Sequence, residues 1–308
     1  MSSPSFDADV LVVGAGPAGV AAAVMAASLR LRTVVVEAGE VGGKLHTIGA
    51  LENVAGNWST GPQLAQALAQ DIQRLQGAGR CTVVHGRAVA VSSSEDRAEL
   101  ALGDGRVLVA ETIVVATGVT ALTPAEAPWV TAPEDLSVAP LWRTTPDNLT
   151  GRTYVLGADR PLGTWLRAHP NASTTMHVLC PPADDYKAVE VNGDDRVRLV
   201  PVSHVAVTRP SYSDGLQVEV KDRDGQRKVY AVTAVLNNLG NKPASLEGLA
   251  LSEDGYCPPE KQQHRIRIAG DLRSARFQRI ATAQGSGAEA VLAYYYDTAL
   301  RTANGVAR

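Results

Sequence analysis

The chain has 308 residues, of which 45% are hydrophobic, and a formal net charge of −3. This length allows two domains with separate cores, and the nearly balanced charge gives no indication of a nucleic-acid partner. The three cysteines, Cys81, Cys180 and Cys257, are too far apart for a metal site, and their odd number argues against a disulfide framework. With no apolar run of about 18 residues and no basic segment before the first apolar stretch, we expect a cytoplasmic protein with no membrane span, no signal peptide and no bound metal.

The first strong pattern in the chain is a strand, a helix and a second strand. β-branched residues fill Asp9–Val13, an Ala- and Leu-rich helical pattern covers Pro17–Arg30, and a second apolar run covers Thr33–Val36. This order predicts the βαβ unit of a parallel sheet.

A GxGxxG motif, made by Gly14, Gly16 and Gly19, joins the first strand to the helix. Gly14 permits a tight turn, Gly16 leaves room for a pyrophosphate and Gly19 lets the helix lie close to the strand, while the helix N-terminus attracts phosphate. Glu37 follows 23 residues after Gly14 and can accept hydrogen bonds from an adenosine ribose, which also disfavours a 2′-phosphate. In this context the motif predicts a dinucleotide site rather than a chance glycine-rich turn.

The glycine-rich loop Gly39–Gly56 could direct Lys44, His46 and Asn53 toward a cofactor, although a surface loop histidine is the favoured interpretation of His46. The remaining patterns predict alternating helices and strands, with an irregular Pro-rich stretch before a second, weaker βαβ unit. Helices are predicted at 61–76, in a short segment ending at 168, and at 282–300; strands at 81–91, 98–109, 112–118, 152–156, 174–180, 197–202, 204–208, 216–221, 228–236 and 265–270; and the irregular stretch at 123–149.

Five segments stand in a recognisable order. They are GAGPAG at Gly14, the acid Glu37, GGKL with ENVAG in the loop, VVATG at Val114, and IAGD with FQRIATAQGSG between Ile268 and Gly287. Together they resemble the low-molecular-weight thioredoxin reductases and their flavoprotein relatives.

The resemblance implies an α/β fold with two nucleotide-binding domains, each Rossmann-like with three ββα layers. It places a discontinuous FAD-binding domain at 1–120 plus 241–308 and a degenerate NAD(P)H-binding-like domain at 121–240, and it implies a homodimer. The residues that match the family's FAD contacts come from both parts of the first domain. They are Gly14, Gly16, Pro17, Ala18, Gly19, Glu37, Ala38, Gly43, Lys44, Leu45, Asn53, Ala88, Thr117, Gly118, Gly270, Asp271, Arg279 and Ile280.

The resemblance also assigns roles to these residues. The glycine motif holds the pyrophosphate, Glu37 takes the adenosine ribose, and Asp271 accepts hydrogen bonds from the ribityl chain. The loop around Lys44 lines the flavin, and Arg279 approaches its ring. Two small departures from the family are Lys44, which replaces a usual Gln, and Gln278-Arg279, which reverses a usual Arg-Gln.

One larger departure concerns the redox dithiol. In the reductases a CxxC precedes the second nucleotide unit and exchanges electrons with the flavin and a partner disulfide. Here that stretch reads Ala139-Pro140-Leu141-Trp142, and no cysteine has a partner at that spacing. A pairing of Cys180 with Cys257 in space is the less favoured alternative, because a disulfide requires Cα atoms within about 7 Å. Trp142 could cap the flavin or fill the space, and packing is favoured.

The second nucleotide motif is also altered, because Gly157–Leu162 reads GADRPL in place of GxGxxG. Asp159 stands where a pyrophosphate would meet the backbone, and Leu162 prevents close helix–strand packing. The next strand ends in Cys180-Pro-Pro-Ala-Asp-Asp and lacks the Arg pair with which the family binds a 2′-phosphate. We therefore expect that NADPH does not bind there in the usual way.

These patterns favour an FAD-dependent oxidoreductase that works without a dithiol and without NADPH. Its electrons would be exchanged with a small molecule or with an acidic protein such as ferredoxin or flavodoxin. The segment Lys261–Arg279 suits such a partner, with six Lys or Arg against the one acid Asp271, although a solvated face that balances the FAD phosphates explains it equally well. Two alternatives stay open: a non-catalytic flavin-binding or regulatory protein, and an NAD(P)H-dependent flavin or ferredoxin reductase with a rebuilt nicotinamide site. No catalytic residue is predicted.

Overall fold

The computed structural model describes residues 6–149, 151–209 and 215–303, with the backbone alone for 299–303. The helices in these ranges are α1 (Pro17–Ser28), α2 (Gly61–Gly77), α3 (Pro161–Ala168), α4 (Asp185–Ala188) and α5 (Ile280–Ala303). The strands are β1 (Ala8–Val13), β2 (Thr33–Glu37), β3 (Cys81–His85), β4 (Ala88–Ser93), β5 (Ala98–Leu102), β6 (Val107–Val115), β7 (Val119–Ala121), β8 (Val130–Thr131), β9 (Ala139–Pro140), β10 (Thr153–Leu156), β11 (Met176–Cys180), β12 (Val197–Pro201), β13 (His204–Thr208), β14 (Leu216–Lys221), β15 (Arg227–Val232), β16 (Ala234–Asn237), β17 (Asn241–Pro243) and β18 (Ile266–Ile268). In the described ranges, no helix combines the length and the apolar character that a bilayer crossing requires.

The chain folds into two compact units. Unit 1 contains Met1–His46, Leu51–Thr120 and Pro243–Arg308, and unit 2 contains Thr47–Ala50 and Ala121–Lys242. Unit 1 is therefore discontinuous in sequence, and each unit has hydrophobic core clusters of its own.

A seven-stranded sheet forms the centre of unit 1. Strands β3, β2, β1 and β6 follow one another in parallel. The last part of β6 also pairs in parallel with β18, whereas its first part pairs antiparallel with β5, which in turn pairs with β4. The carboxyl ends of β1, β2, β6 and β18 consequently share one edge, which is where open α/β sheets bind their ligands.

Helices α1 and α5 pack together in unit 1 through small residues. The buried residues of α1 are nearly all small: Ala18, Gly19, Val20, Ala22, Ala23, Ala26 and Ala27. A Cβ on Gly287 of α5 would lie 2.0 Å from the carbonyl oxygen of Ala18, and one on Gly270 would lie 3.0 Å from the Ala18 Cβ. Gly287 is therefore needed for the close approach of the two helices.

Unit 2 contains two sheets. Five parallel strands stand in the order β12, β11, β10, β16 and β9, and a second sheet joins β15, β14 and β13 antiparallel, with β8 parallel to β13. Alternate residues of β10 face different cores, because Leu156 packs with Val205 whereas Val155 packs with Trp165 of α3. This alternation is the two-residue period of a strand covered on both faces.

Three predicted strand boundaries were wrong. The predicted strand 81–91 divides into β3 and β4, because the Gly86 N–H donates to the Glu37 carbonyl oxygen at 3.0 Å. The sequence Gly103-Asp104-Gly105 predicts a hairpin turn, which is present between β5 and β6. The predicted strand 112–118, however, is the second part of β6, which pairs with β5 and with β1. The predicted strand 228–236 divides into β15 and β16, which belong to different sheets.

We expect Gly287→Ala to lower the free energy of unfolding by about 1–3 kcal/mol, because the added methyl group overlaps backbone of α1. Gly285→Ala, two residues earlier on α5, is the matched control. Its Cβ would meet no heavy atom within 4 Å, so it should raise helix stability by about 0.5–1 kcal/mol. Urea denaturation followed by circular dichroism measures both, and equal effects of the two substitutions would contradict the packing role of Gly287.

Candidate functional site

The loop between β1 and α1 turns tightly against a neighbouring strand end. Gly14 has a φ of +96°, and a Cβ there would lie 2.7 Å from the carbonyl oxygen of Ala116, just after β6. A Cβ on Gly19 would lie 1.8 Å from the carbonyl oxygen of Gly14. Both positions therefore require glycine, one for its backbone conformation and one for the close approach of helix and strand.

Gly16 differs from these two glycines. It caps α1 with an ordinary extended backbone, φ −73° and ψ −174°, and a Cβ on it would meet no heavy atom of the described residues within 4 Å. The space beside Gly16 is thus open, at a helix end whose first N–H groups have no partner within the helix. A phosphate suits this space because the helix N-terminus carries a partial positive charge.

Glu37, at the end of β2, holds the side of the same loop. Its Oε2 accepts a hydrogen bond from the Ala15 N–H at 2.6 Å, and its Oε1 accepts one from the Gly39 N–H at 2.7 Å. These bonds orient the carboxylate, and each oxygen keeps a lone pair for a further donor. Because Glu37 is only partly buried, the hydroxyls of a ribose can reach it.

A 3₁₀ turn, Gly43–Thr47, begins directly beside this loop. The preceding residue, Gly42, donates its N–H to the Ala15 carbonyl oxygen at 2.8 Å. Its φ of +97° and its closeness to Ala65, whose Cβ would lie 2.6 Å from an added Cβ, exclude a side chain. The glycine pair thus fixes the 3₁₀ turn against the nucleotide-type loop.

The predicted cofactor residues of this turn differ in exposure. Leu45 is buried in the protein, whereas Gly43 and Lys44 are exposed. His46 is also exposed, and its Nε2 lies 2.9 Å from the Val41 carbonyl oxygen. This local contact agrees with the interpretation of His46 as a surface loop histidine.

Gly270 and Asp271 follow β18 at the same sheet edge. Gly270 has a φ of +73° and donates its N–H to Ser286 Oγ at 2.8 Å. The carboxylate of Asp271 has no hydrogen bond or ion pair with the residues that the structure describes. Burial raises the pKa of Asp271, while the positive charges of Lys44 and Arg279 act in the opposite direction. A desolvated carboxylate with unused lone pairs is an acceptor for ligand hydroxyls.

The other predicted site residues occupy element ends. Thr117 and Gly118 follow β6, and both bind Ala244, through the Thr117 Oγ1 at 2.7 Å and the Gly118 carbonyl oxygen at 3.0 Å. Pro17 and Ala18 begin α1, and Arg279 and Ile280 lie at the start of α5. Ala38 follows β2, Ala88 begins β4, and Asn53 lies in the loop before α2.

The loop between β10 and α3 of unit 2 repeats the backbone geometry of the first loop. Gly157 has a φ of +87°, and a Cβ there would lie 2.5 Å from the carbonyl oxygen of Asn238, just after β16. Its N–H donates to the Leu179 carbonyl oxygen at 3.0 Å, as the Gly14 N–H donates to the Val36 carbonyl oxygen at 2.8 Å. The two units therefore contain the same strand-end turn.

A carboxylate also holds the second loop from the side. The Ala158 N–H donates to Asp184 Oδ2 at 3.1 Å, as the Ala15 N–H does to Glu37. The sequence analysis did not assign this role to Asp184, because the acid lies four residues beyond the end of β11 rather than on its last residue. The signal that could have found it is the acid that follows the two prolines.

Asp159 stands at the position that Gly16 leaves open in the first loop. Its Oδ1 lies 3.1 Å from Lys187 Nζ, which in turn lies 3.0 Å from Asp184 Oδ1, and these side chains are at most 18% exposed. Burial lowers the pKa of Lys187, but the charges of Asp159 and Asp184 outweigh burial and raise that pKa overall. One lysine thus neutralises one of two carboxylates, which leaves the group with a net negative charge.

Further protein groups fill the second loop. The Asn238 amide Nδ2 donates to the carbonyl oxygens of Gly157 and Asp159 at 3.1 and 2.9 Å. Leu162 is buried in the core that also contains Trp165. The loop therefore satisfies its own polar groups, and its carboxylates repel a phosphate.

Cys81, Cys180 and Cys257 are buried free thiols. Burial raises the pKa of each to about 11. Thiols with such a pKa are nearly all protonated at neutral pH and are poor nucleophiles. In the described part of the chain, no group of His, Cys, Asp and Glu side chains is arranged to hold a metal ion.

Trp142 lies in a 3₁₀ turn, Leu141–Arg143, and is partly buried. The guanidinium of Arg143 lies 4.6 Å from the centroid of its ring, and Leu141 is fully buried in a core of unit 2. The core position of this turn is thus filled by Leu141, and the role of Trp142 stays a prediction.

The chain is similar to known proteins in sequence and in fold. A family model described as pyridine nucleotide-disulphide oxidoreductase matches residues 8–145. The thioredoxin reductase of Ureaplasma parvum serovar 3 is 32% identical over 111 residues, which cover 36% of this chain and 34% of the relative. The bifunctional thioredoxin reductase/thioredoxin of Mycobacterium leprae is 23% identical over 304 residues, which cover 92% of this chain and 64% of the relative. This chain thus spans about a third of the first relative's length and 64% of the second's.

Solved structures extend the likeness to nearly the whole chain. The thioredoxin reductase of Lactococcus lactis has a TM-score of 0.73 at 18% identity. The match covers 94% of this chain and 98% of the reductase. The thioredoxin reductase of T. acidophilum has a TM-score of 0.72 at 21% identity, with 96% and 99% covered. The chain therefore has the fold of these thioredoxin reductases. The predicted α/β fold class with two Rossmann-like units is thereby confirmed.

We expect Asp271→Asn to stabilise the ligand-free form at pH 7. Because the pKa of Asp271 is raised on folding, its contribution to the free energy of unfolding is largest below the unfolded pKa of about 3.9 and is lost as the pH rises through the folded pKa. The variant should raise the melting temperature by about 2 °C at pH 7 and leave it unchanged at pH 3.5.

The control for this prediction is Asp147→Asn at an exposed carboxylate, which should change the melting temperature at neither pH. Differential scanning fluorimetry measures all three proteins. A stabilisation by Asp271→Asn that is equal at both pH values would contradict the assigned cause.

Proposed function

We propose that the chain is an FAD-dependent oxidoreductase that works without a redox dithiol. Its electrons are exchanged with a small acidic carrier protein or a small molecule instead of NADPH. The observation that carries the proposal is the contrast between two equivalent loops. The position of Gly16 is open space, whereas its counterpart Asp159 is a carboxylate held by Lys187.

The residues at the edge of unit 1 fit FAD. The open space at Gly16 and the N-terminus of α1 suit the pyrophosphate, and the oriented carboxylate of Glu37 suits the adenosine ribose. Asp271 supplies a buried acceptor with unused lone pairs, which suits the ribityl hydroxyls. In this assignment 1–120 plus 241–308 is the FAD-binding domain, and the remaining predicted cofactor residues surround the same edge.

The bound FAD would supply the redox chemistry, accepting and donating one or two electrons. The protein's own residues bind, orient and tune it. Burial raises the pKa of Asp271, and the positive charges of Lys44 and Arg279 oppose that rise. Gly14 and Gly19 fix the helix end that faces the phosphates.

The geometry of unit 2 argues against NADPH as the donor. A pyrophosphate placed at Asp159 would meet a carboxylate and the Asn238 amide that already binds the loop. An NAD(P)H-dependent reductase with a rebuilt site would therefore need a binding mode that avoids this loop. We assign 121–240 as a degenerate nucleotide-binding domain on this basis.

The thiols give no support to a disulfide mechanism. The stretch 139–142 contains no cysteine, and burial raises the pKa of the three cysteines elsewhere to about 11. Reduced, buried thiols are compatible with a cytoplasmic location. We also infer a homodimer, by analogy with the reductases that the chain resembles.

Gly16→Ala tests the FAD site. The backbone at Gly16 is ordinary and an added Cβ meets no heavy atom, so the variant should fold with unchanged stability. Its methyl group should still weaken FAD binding at least about tenfold, because it takes the space proposed for the pyrophosphate. Titration of the apoprotein with FAD, followed by flavin fluorescence, measures this with Gly285→Ala as the control. If Gly16→Ala binds FAD with unchanged affinity, the pyrophosphate does not occupy the space beside Gly16.

Anaerobic mixing tests the electron donor. We expect the purified protein to be yellow, to bleach on deazaflavin photoreduction and with reduced ferredoxin or flavodoxin, and to stay oxidised for minutes with saturating NADPH or NADH. Rapid bleaching by NADPH would contradict the proposed role of Asp159 and favour the rebuilt-site reductase. Bleaching by photoreduction alone would favour the non-catalytic flavin-binding alternative.

A further inference from the structure

Phe277 combines exposure with an unusual backbone. Its side chain is 81% exposed, and its φ is +61°. For a bulky aromatic residue this left-handed conformation is a genuine outlier, and such outliers persist only where the surrounding structure enforces them. The exposed position of the ring is thus imposed by the loop.

Hydrogen bonds hold this loop rigidly from inside. The Gln278 amide Nε2 lies 3.1 Å from the Tyr256 hydroxyl, 3.0 Å from the Ser274 carbonyl oxygen and 3.3 Å from the Asp271 carbonyl oxygen. The Thr282 hydroxyl binds the Phe277 carbonyl oxygen. Because Gln278 points inward, its neighbours Phe277 and Arg279 are left exposed.

Five of the six cations of the basic segment Lys261–Arg279 fall into two groups, and the sixth, Lys261, is exposed outside this loop. Arg267 and Arg273 form ion pairs with Asp297 and Glu289 at 2.7 and 3.0 Å. Arg265 donates to the backbone carbonyl oxygens of Glu95 and Glu111. These three side chains therefore bind other residues of unit 1.

Arg276 and Arg279 form the second group. Arg276 is exposed, and its guanidinium has no hydrogen bond or ion pair with the described residues; the guanidinium of Arg279 binds only the adjacent Gln278 carbonyl oxygen among them. Arg276 and Arg279 thus place a positive charge on each side of Phe277, and the charge of Arg279 also acts on Asp271.

We propose that Arg276, Phe277 and Arg279, the 276–279 surface, form the docking site for a small acidic one-electron carrier protein. The inference rests on the proposed function, because it names the partner of that same FAD site. An exposed aromatic residue between cations suits a small interface with an apolar centre and a charged rim. The positive rim would steer an acidic partner to this loop.

The loop also connects the proposed docking site to the proposed flavin site. Asp271 precedes the loop, and Arg279 itself ends it. Two docking events, each oxidising one carrier by one electron, deliver two electrons to the flavin, and solvent supplies the accompanying proton. A second copy of this chain is the less suitable occupant, because a two-fold contact centred here would bring like charges together.

Stopped-flow reduction tests the docking site in the full-length FAD-loaded protein. The donors are photoreduced plant-type [2Fe–2S] ferredoxin and flavodoxin, at low and at high ionic strength. Arg276→Glu should slow the second-order rate constant about tenfold at low ionic strength, and the difference should shrink as salt screens the charges. Phe277→Gly, which suits the positive φ, should slow the reaction at both ionic strengths.

Matched controls separate docking from folding and from FAD binding. Lys261→Glu and Leu251→Ala change an exposed cation and an exposed apolar side chain outside the loop, and should leave the rate unchanged. FAD content and deazaflavin photoreduction should be equal in all variants.

Three results would overturn the proposal, and they are distinguishable. Variants that react like the wild type would contradict the proposed docking site without contradicting the proposed function. If photoreduction succeeds but neither carrier reduces the wild type, the result would contradict both the proposed electron donor and its docking site. Conversion of a dimer to a monomer by Phe277→Gly, seen by light scattering, would assign the ring to a contact between copies.

Discussion

In both units the chain turns back over the end of an adjacent strand at a glycine whose position excludes a side chain. A Cβ would lie 2.7 Å from the Ala116 carbonyl oxygen at Gly14 and 2.5 Å from the Asn238 carbonyl oxygen at Gly157. Because the turn is so tight, the next N–H reaches a carboxylate that lies at the end of the second strand in unit 1 and four residues beyond it in unit 2. The residue two positions after each glycine then decides whether that edge is open to a ligand.

Electrostatic magnitudes explain why this one position matters so much. A helix N-terminus stabilises an anion by about 0.3–1 kcal/mol. Two like charges about 4 Å apart repel by about 4 kcal/mol at an effective dielectric constant of 20. Lys187 compensates only one of the carboxylates of Asp159 and Asp184. We infer that the repulsion in unit 2 outweighs any attraction by its helix, whereas the open position in unit 1 leaves that attraction unopposed.

The sequence predicted the elements whose signals are local and missed those made by distant contacts. The strands and helix around the first glycine motif were placed within about two residues, because glycine spacing and hydrophobic period act over short distances. The division at Gly86 was missed because a hydrogen bond to Glu37 creates it. The compensation of Arg267 and Arg273 was missed for the same reason, since Asp297 and Glu289 lie on a helix further along the chain.

The state of the thiols determines how electrons could leave the protein under the proposed function. Burial raises the pKa of the three cysteines to about 11, so these thiols are poor nucleophiles at neutral pH. The exposed surface near Asp271 and Arg279 would then have to serve each transfer directly. A carrier that delivers one electron must leave before the next one docks, which favours a small and weak interface. One aromatic ring between two arginines has the size and charge that such a transient contact requires.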